Sequence, residues 1–300
     1  MDNRELIEKI NELKKQKQAV ILVHNYQRKE IYEVADFIGD SLDLAKKAAS
    51  TKAKIIVFCG VDFMAETAKI LSPESKVLLP VISATCPMAN MVDVSKLKEL
   101  KKKHPDAAVV SYVNTTADVK AESDVCCTSM NAVDIINKLP NKKIIFVPDV
   151  HLGEWVKGHT DKEIILCEGF CIVHSKIMLD QAKEAKKLHP DAKLVAHPEA
   201  PLEVLEIADH VTGTGGMIKY AKESSAEEFI IATEEGMVNR LINEVPDKKF
   251  YSIGGICFNM KKNTLERVYE SLQKEQHEIT VDKQIADKAR KALQKMIELG

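Results

Sequence analysis

The chain has 300 residues, of which 45% are apolar and 29% charged, the ordinary balance of a water-soluble globular protein. Its 43 basic and 45 acidic residues leave a net charge of −2, which argues against nucleic acid or an anionic membrane as a partner. No apolar run approaches the ~20 residues of a membrane helix, and the charged start Met1–Leu6 is unlike a signal peptide. We therefore expect a cytoplasmic protein.

Helix and strand patterns alternate along the whole chain. Apolar residues at helical spacing predict a helix over 4–17, and a short apolar run predicts a buried strand over 19–23. Further strands are predicted at 54–58, 76–82, 107–113, 143–147, 192–196 and 228–232, and further helices at 42–49, 63–71, 96–103, 132–138, 176–188 and 285–299. This alternation is typical of parallel sheets covered by helices on both faces.

The alternation is organised as a threefold repeat. The segment His104–Ala107 returns as His189–Ala192, 85 residues later. Other landmarks recur at nearly the same distance: Asp36, Asp124 and Asp209; Ser41, Ser129 and Thr214; Asp62, Asp149 and Glu234. Self-similarity at a fixed period indicates repeated structural units.

The fold class predicted from this repeat is α/β. It consists of three homologous α/β/α three-layer units with short parallel sheets, arranged with pseudo-threefold symmetry around a central cavity. The units are predicted at 1–86, 87–171 and 172–257, with 258–300 packing back on the first. Because ligands gather outside the carboxyl ends of parallel strands, we expect the site in that cavity.

One cysteine of each unit lies at the repeat distance: Cys86, Cys171 and Cys257. The chain has seven cysteines, which is an odd number, and disulfides are rare in the cytosol where we expect it. Metal binding or catalysis therefore explains cysteines that meet at one site better than disulfides do. Three thiolates without a fourth are compatible with a [4Fe–4S] cluster that has one open iron. Zinc held by three cysteines and water, or three buried core cysteines, are the alternatives.

The other four cysteines fall outside this register. Cys59, Cys126 and Cys167 match apolar positions of the other units, so we interpret them as structural. Cys127, in a predicted polar turn, fits either interpretation but is grouped with them, and Cys167 competes with Cys171 because only four residues separate them.

Polar residues follow several predicted strands. His24, Tyr26, Tyr112 and His197 are candidates, although a lone residue of this kind at a strand end is more often structural than catalytic. The segment His197–Glu199 places an imidazole beside a carboxylate, as general acid–base chemistry requires. Ser41, Ser129 and Thr214 occupy strand-to-helix turns, where their hydroxyls cap the helix, bind phosphate or carboxylate, or do both.

Several segments spread over the chain together resemble the quinolinate synthase family, which contains iron–sulfur enzymes of de novo NAD biosynthesis. These segments are 24–27, 35–41, 60–68, 84–89, 112–114, 128–132, 197–199 and 260–265. The resemblance implies three α/β domains around a [4Fe–4S] cluster held by Cys86, Cys171 and Cys257.

The resemblance also implies a reaction, in which iminoaspartate condenses with dihydroxyacetone phosphate to give quinolinate, phosphate and two waters. The open iron would act as Lewis acid in dehydration, and an aspartate oxidase or dehydrogenase would supply the iminoaspartate. The resemblance implies that one set of residues binds the substrate carboxylates, the phosphate or the intermediate: His24, Ser41, Asn114, Ser129, His197, Gly213 and Thr214. It implies proton transfer by Tyr26, Tyr112 and Glu199. Tyr112 and Glu199 would also contact substrate.

Three positions depart from the family pattern. Gly213 stands where a serine usually precedes the threonine, Phe170 where a histidine often precedes the second cysteine, and Ala200 where cysteine is common. A non-catalytic iron–sulfur sensor or electron carrier is the alternative function. An electron carrier normally has four cluster ligands, whereas this set offers three together with acid–base groups.

Overall fold

The computed structural model of the chain describes residues 1–300 and contains three separate four-stranded parallel sheets. The strands are β1 (Ala19–His24), β2 (Phe37–Gly39), β3 (Ile55–Cys59), β4 (Lys76–Leu78), β5 (Ala108–Tyr112), β6 (Val125–Cys127), β7 (Lys143–Val147), β8 (Glu163–Leu166), β9 (Lys193–Ala196), β10 (His210–Val211), β11 (Glu228–Ala232) and β12 (Lys249–Ser252). The sheet orders are β2-β1-β3-β4, β6-β5-β7-β8 and β10-β9-β11-β12. The same order in three consecutive segments confirms the predicted α/β fold with three similar units.

Each unit also contributes four helices. They are α1 (Asn3–Lys17), α2 (Lys29–Tyr32), α3 (Ser41–Ser50), α4 (Asp62–Leu71), α5 (Val94–Lys103), α6 (Ala117–Ala121), α7 (Ala132–Lys138), α8 (Val150–Lys157), α9 (Leu179–Leu188), α10 (Leu202–Leu205), α11 (Thr214–Glu223) and α12 (Gly236–Glu244), followed by α13 (Leu265–Lys274) and α14 (Lys283–Leu299). None of the helices combines the length and apolarity needed to cross a membrane.

The interior strands of the sheets are almost entirely apolar, which suits them to a buried position. All five residues of β3 and of β5 are buried, as expected for strands covered by helices on both faces. The first helix, α1, begins where the Asp2 carboxylate accepts the backbone N–H of Glu5 at 2.8 Å. It ends at Gln18, whose φ of 52° lies in the left-handed region.

Some predicted bounds were wrong. The strand expected over 76–82 ends at Leu78, because Pro80 has no N–H for the ladder and Leu79 N donates to the carbonyl of His277. The helix expected from residue 176 begins at Leu179 and is preceded by a 3₁₀ helix over His174–Lys176. Cys127 lies in strand β6 and not in a turn.

The largest apolar core is shared by all three units, with Ile56, Val110 and Phe229 among its members. The last two helices belong to different cores: α14 contributes to this largest one, whereas the buried residues of α13 lie in a smaller cluster with β1 and β3. Helix α13 packs against α1 and β3, whereas α14 contacts α4 of the first segment and α6, β6 and α7 of the second. The unit boundaries and the threefold arrangement remain predictions.

Candidate active site

The carboxyl ends of the strands surround a cavity of about 690 Å³ lined by residues of all three units. The structure brings every predicted site residue except Gly213 to its wall: His24, Tyr26, Ser41, Cys86, Tyr112, Asn114, Ser129, Cys171, His197, Glu199, Thr214 and Cys257. Gly213 lies behind Thr214, where a Cβ would come within 2.8 Å of Ser129 Oγ. The cavity therefore joins residues that are far apart in sequence.

The three cysteines in register differ from the other four in their surroundings. Cys86, Cys171 and Cys257 are partly exposed and line the cavity, whereas Cys59, Cys126, Cys127 and Cys167 are buried and do not. Each lining cysteine lies in a loop beyond the last strand of its unit and close to a short 3₁₀ helix. Burial raises the pKa of the Cys86 thiol to about 12 and also raises the pKa values of Cys171 and Cys257.

The spacing of the thiols distinguishes a cluster from a single ion. Zn–S bonds of about 2.3 Å place the sulfur atoms of one zinc site within about 4 Å of one another. No set of ligand atoms within 4.8 Å of one another contains all three cysteines. The ligand atoms that do lie within 4.8 Å of one another belong to Cys171, His174 and Glu199, and His174 and Glu199 already hydrogen-bond to each other. The three thiols therefore match a polynuclear group better than a single ion.

His24 and His197 are neutral hydrogen-bond donors toward the cavity. In each case the backbone N–H two residues later donates to Nδ1: Tyr26 N at 3.1 Å and Glu199 N at 3.3 Å. An accepting Nδ1 places the ring proton on Nε2. Burial lowers the pKa of both imidazoles to about 3, so they remain uncharged at neutral pH.

A chain of hydrogen bonds crosses the cavity wall from Tyr26 to Glu199. Tyr26 Oη lies 2.6 Å from Thr233 Oγ1, which lies 2.7 Å from His174 Nε2. His174 Nδ1 lies 2.8 Å from Glu199 Oε2. In the neutral ring, Nδ1–H donates to the carboxylate and Nε2 accepts from Thr233. This hydroxyl–imidazole–carboxylate series is the arrangement of a proton relay.

The Glu199 carboxylate is the electrostatic centre of this relay. Burial alone would raise its pKa, but the attraction and hydrogen bond of His174, together with His197 and Tyr112, lower the pKa below its ordinary value. Tyr112 donates to the other carboxylate oxygen. Burial and the negative charge of Glu199 raise the pKa values of both Tyr26 and Tyr112, so each phenol keeps its proton at neutral pH.

The three hydroxyls at helix starts do not serve as caps. The N-cap of α3 is Asp40, whose carboxylate accepts Leu42 N and Asp43 N at 2.9 Å, while Ser41 is the first helical residue. Ser129 Oγ lies 3.0 Å from His197 Nε2, and Thr214 Oγ1 accepts from Asn25 Nδ2 at 2.9 Å. The capping alternative was therefore wrong, and all three hydroxyls remain available at the cavity wall.

Asn114 has a polar atom without a partner. Its Oδ1 is buried and accepts no hydrogen bond, although Asn114 lines the cavity. A buried carbonyl oxygen without a donor costs about 1–3 kcal/mol. A ligand N–H or O–H would remove this cost, which is consistent with a binding role.

Sequence reasoning missed three residues of the site. His174 is almost completely buried, Thr233 is completely buried, and both belong to the relay, while Asp40 lines the cavity. The only signal for His174 is its place three residues after Cys171, and the only signal for Thr233 is its place directly after β11. Neither position recurs as a polar residue of the same type in the other units, so the repeat could not reveal them.

Three α/β units that bring three free thiols and a hydrogen-bonded series of acid–base groups to one cavity define an α/β protein with an enzyme-like site. Comparison with known proteins agrees with this class. The family model described as Quinolinate synthetase A protein matches residues 8–298. The chain therefore belongs to the quinolinate synthetase A family, whose members are enzymes.

The similarity to individual relatives covers the whole chain. It is 52% identical over 302 residues to quinolinate synthase 2 of Methanosarcina acetivorans, covering 100% of this chain and 97% of that protein. It is 51% identical to the quinolinate synthase of Alkaliphilus metalliredigens over 302 residues, with both chains covered completely. The corresponding protein of Caldicellulosiruptor saccharolyticus is 52% identical over 303 residues, again with complete coverage.

Proposed function

We propose that the chain condenses iminoaspartate with dihydroxyacetone phosphate to form quinolinate, releasing phosphate and two waters, in de novo NAD biosynthesis. The observation that carries the proposal is the convergence of three partly exposed thiols and a proton relay on one cavity. Full-length similarity to proteins named quinolinate synthase supports the same reaction.

The donor set is compatible with a [4Fe–4S] cluster held by Cys86, Cys171 and Cys257. These are three free thiols at one cavity, spaced too widely for a single ion, and no fourth cysteine lines the wall. When bound, such a cluster with one unligated iron would supply a Lewis acid for dehydration. Cytosolic thiols are kept reduced, as this ligation requires.

The anionic substrates would bind through neutral donors and helix starts. The Nε2–H groups of His24 and His197 would donate to carboxylates, that of His197 in exchange for its contact with Ser129 Oγ, and being uncharged they need no counter-charge inside the cavity. The phosphate would contact the hydroxyls of Ser41, Ser129 and Thr214, near the helix starts of α3, α7 and α11. Gly213 would contribute its backbone, and Asn114 Oδ1 would accept from the intermediate.

Proton transfer would use the relay. Tyr26 would take a proton from the substrate as its own proton passes to Thr233 Oγ1 and that of Thr233 to His174 Nε2, and the Glu199 carboxylate would stabilise the imidazolium that results. Tyr112, held by the same carboxylate, is placed to donate from the second unit. Iminoaspartate itself must come from a reaction that oxidises the amine of aspartate, as an aspartate oxidase or dehydrogenase would.

The test is quinolinate formation under strict anaerobiosis by cluster-reconstituted chain with freshly generated iminoaspartate and dihydroxyacetone phosphate. We expect product from the wild type and from Cys167→Ala, and loss of both iron and activity in Cys171→Ser. The two cysteines are four residues apart, but only Cys171 lines the cavity. No product from protein with a full cluster would overturn the reaction and favour a sensor or electron carrier.

A further inference from the structure

Each unit places an acidic residue beneath its cysteine loop. Asp62 follows β3, Asp149 follows β7 and Glu234 follows β11, always after the third strand of the unit. The carboxylate accepts the backbone N–H of the cysteine of the same unit. The distances are 3.1 Å from Asp62 Oδ1 to Cys86 N, 3.2 Å from Asp149 Oδ2 to Cys171 N and 3.1 Å from Glu234 Oε1 to Cys257 N.

A second hydrogen bond runs in the opposite direction. The acidic residue, or the residue after it, donates its backbone N–H to the carbonyl two positions before the cysteine. The pairs are Asp62 N with Ala84 O at 2.9 Å, Val150 N with Gly169 O at 2.7 Å and Glu235 N with Gly255 O at 3.0 Å. Two contacts made two residues apart on the loop fix both its position and its direction. We call this arrangement the carboxylate clamp.

Helix capping does not explain the clamp, because the three acids occupy different positions relative to their helices. Asp62 is the first residue of α4, Asp149 is the N-cap of α8, and Glu234 precedes the N-cap of α12. Each carboxylate also accepts a backbone N–H at the start of the following helix, from Phe63, Leu152 or Gly236 at 2.8 Å, but the contact with the cysteine N–H is not a capping contact and is made by all three. Asp149 and Glu234 are almost completely buried, so their carboxylates depend on these hydrogen bonds in place of water.

The third clamp has an additional cation. Lys261 Nζ lies 2.9 Å from Glu234 Oε1 and donates to the backbone carbonyl of Tyr26 at 2.6 Å. Lys261 N also donates to Cys257 O at 3.1 Å. The clamp of the third unit is thus joined directly to the Tyr26 end of the relay in the first.

We propose that Asp62, Asp149 and Glu234 are positioning residues that hold the three cysteine loops at the separation needed by the group they share. The inference rests on the proposed cluster, because a clamp for a shared group has meaning only if the thiols bind one. The carboxylates act through the loop backbone and do not ligate the group themselves. Removing a residue that orients a metal ligand by hydrogen bonding, without binding the metal itself, typically changes metal affinity by about tenfold to a hundredfold.

The experiment compares iron release by the reconstituted wild-type chain and three variants. Iron and sulfide are counted after desalting, and the rate of iron transfer to a chelator is followed by absorbance without oxygen. We expect Asp62→Ala to lose iron about tenfold to a hundredfold faster, and Asp62→Asn, which keeps an accepting Oδ1, to be close to wild type. The matched control Asp2→Ala removes an N-cap carboxylate, which accepts Glu5 N at 2.8 Å at the start of α1 and does not line the cavity, and should release iron at the wild-type rate.

The outcomes separate this inference from the proposed function. If Asp62→Ala releases iron at the wild-type rate and only melts at a lower temperature, the carboxylate is merely structural and the clamp is overturned. If the wild type itself takes up no iron and sulfide, the proposed cluster fails and the clamp fails with it. Should Asp62→Ala be insoluble, the same rate is measured on Glu234→Ala, where wild-type release would again overturn the inference.

Discussion

Thr233 connects the cavity to the imidazole of His174 through a single hydroxyl. It is completely buried, and its Oγ1 contacts both Tyr26 Oη and His174 Nε2. A side chain that links two acid–base groups affects proton transfer more than substrate affinity, because both neighbours remain in place when the link is removed.

For Thr233→Val we expect kcat to fall by about a hundredfold or more with little change in KM, since the relay loses its hydroxyl. Thr233→Ser should retain most of the activity. The control is Thr67→Val, which removes another buried hydroxyl, one that donates to Phe63 O and belongs to a residue that does not line the cavity. Steady-state kinetics of the anaerobic enzyme provide the measurement, and an unchanged kcat in Thr233→Val would contradict the relay.

Gly213 is a second residue whose effect can be predicted from close contacts. A Cβ there would lie 2.8 Å from Ser129 Oγ and 2.9 Å from Met130 Sδ. Ser129 would have to leave its hydrogen bond with His197, which is 3.0 Å long.

We expect Gly213→Ser to raise KM for dihydroxyacetone phosphate about five- to tenfold, the equivalent of one lost hydrogen bond, although family members usually carry serine here. Gly158→Ser is the matched control, because a Cβ at Gly158 meets only ordinary contacts at 3.5 Å and beyond. A lower KM in Gly213→Ser would show that the added hydroxyl binds substrate without displacing Ser129.

Among the elements, α14 contributes to a different core from the preceding helix α13. Its residues Ala289, Ala292, Leu293 and Met296 are buried in the largest apolar cluster. Its side chains also reach across units, as Arg290 Nε donates to Ile70 O at 2.8 Å. The helix therefore fastens the first segment to the second.

Leu293→Ala is expected to lower the free energy of unfolding by about 2–5 kcal/mol, the range for a fully buried leucine. Chemical denaturation followed by circular dichroism gives the value. Leu188→Ala, at a leucine that is 67% exposed, should change it by less than about 0.5 kcal/mol. Equal effects of the two substitutions would contradict the packing of α14.

The sequence predicted most elements because local pattern and tertiary environment agree. The bounds of β7, α7 and β11 match the predicted ones, since short buried apolar runs and a helical period are strong local signals. The predicted strand before Cys86 was too long because apolar residues continue past Leu78 after the ladder has ended. Local pattern does not show where a hydrogen-bonding partner strand stops.

The candidate site was predicted from the repeat and the family resemblance, and neither identified His174 or Thr233. The cysteines and helix-start hydroxyls recur in all units, so spacing identified them. His174 and Thr233 have no counterparts in the other units. They belong to the site because two segments that are 59 residues apart in sequence come within hydrogen-bonding distance. Such contacts are set by tertiary packing, which a single sequence does not show.

At the scale of the whole molecule, buried imidazoles make stability depend on pH. His24 and His197 have pKa values of about 3 in the folded chain, whereas a solvent-exposed histidine, as in the unfolded chain, has a pKa of 6.5. Between these values the unfolded chain binds more protons, so the free energy of unfolding falls as pH falls. Asp40, whose pKa burial raises from 3.8 to about 6, acts in the opposite direction below pH 6.

We expect the free energy of unfolding to fall on acidification below about pH 6.5, by up to about 1.4 kcal/mol per pH unit for each histidine. His197→Gln should be less sensitive to acid over the same range, because one of the two groups is gone. Urea unfolding curves at several pH values between 7 and 4 give the slopes. A variant with the wild-type slope would show that His197 does not protonate on unfolding.

The order of the cysteines along the chain has a consequence for biosynthesis. Cys86 emerges from the ribosome first, and the last thiol exists only after two further units have been translated. Until then a nascent chain offers incomplete ligation with the inner face of its first unit exposed, since the largest core draws on all three units. If the three thiols hold one group, as proposed, its ligation is completed only after translation of the third unit, and cells short of that group would accumulate full-length, empty chain rather than partly loaded fragments.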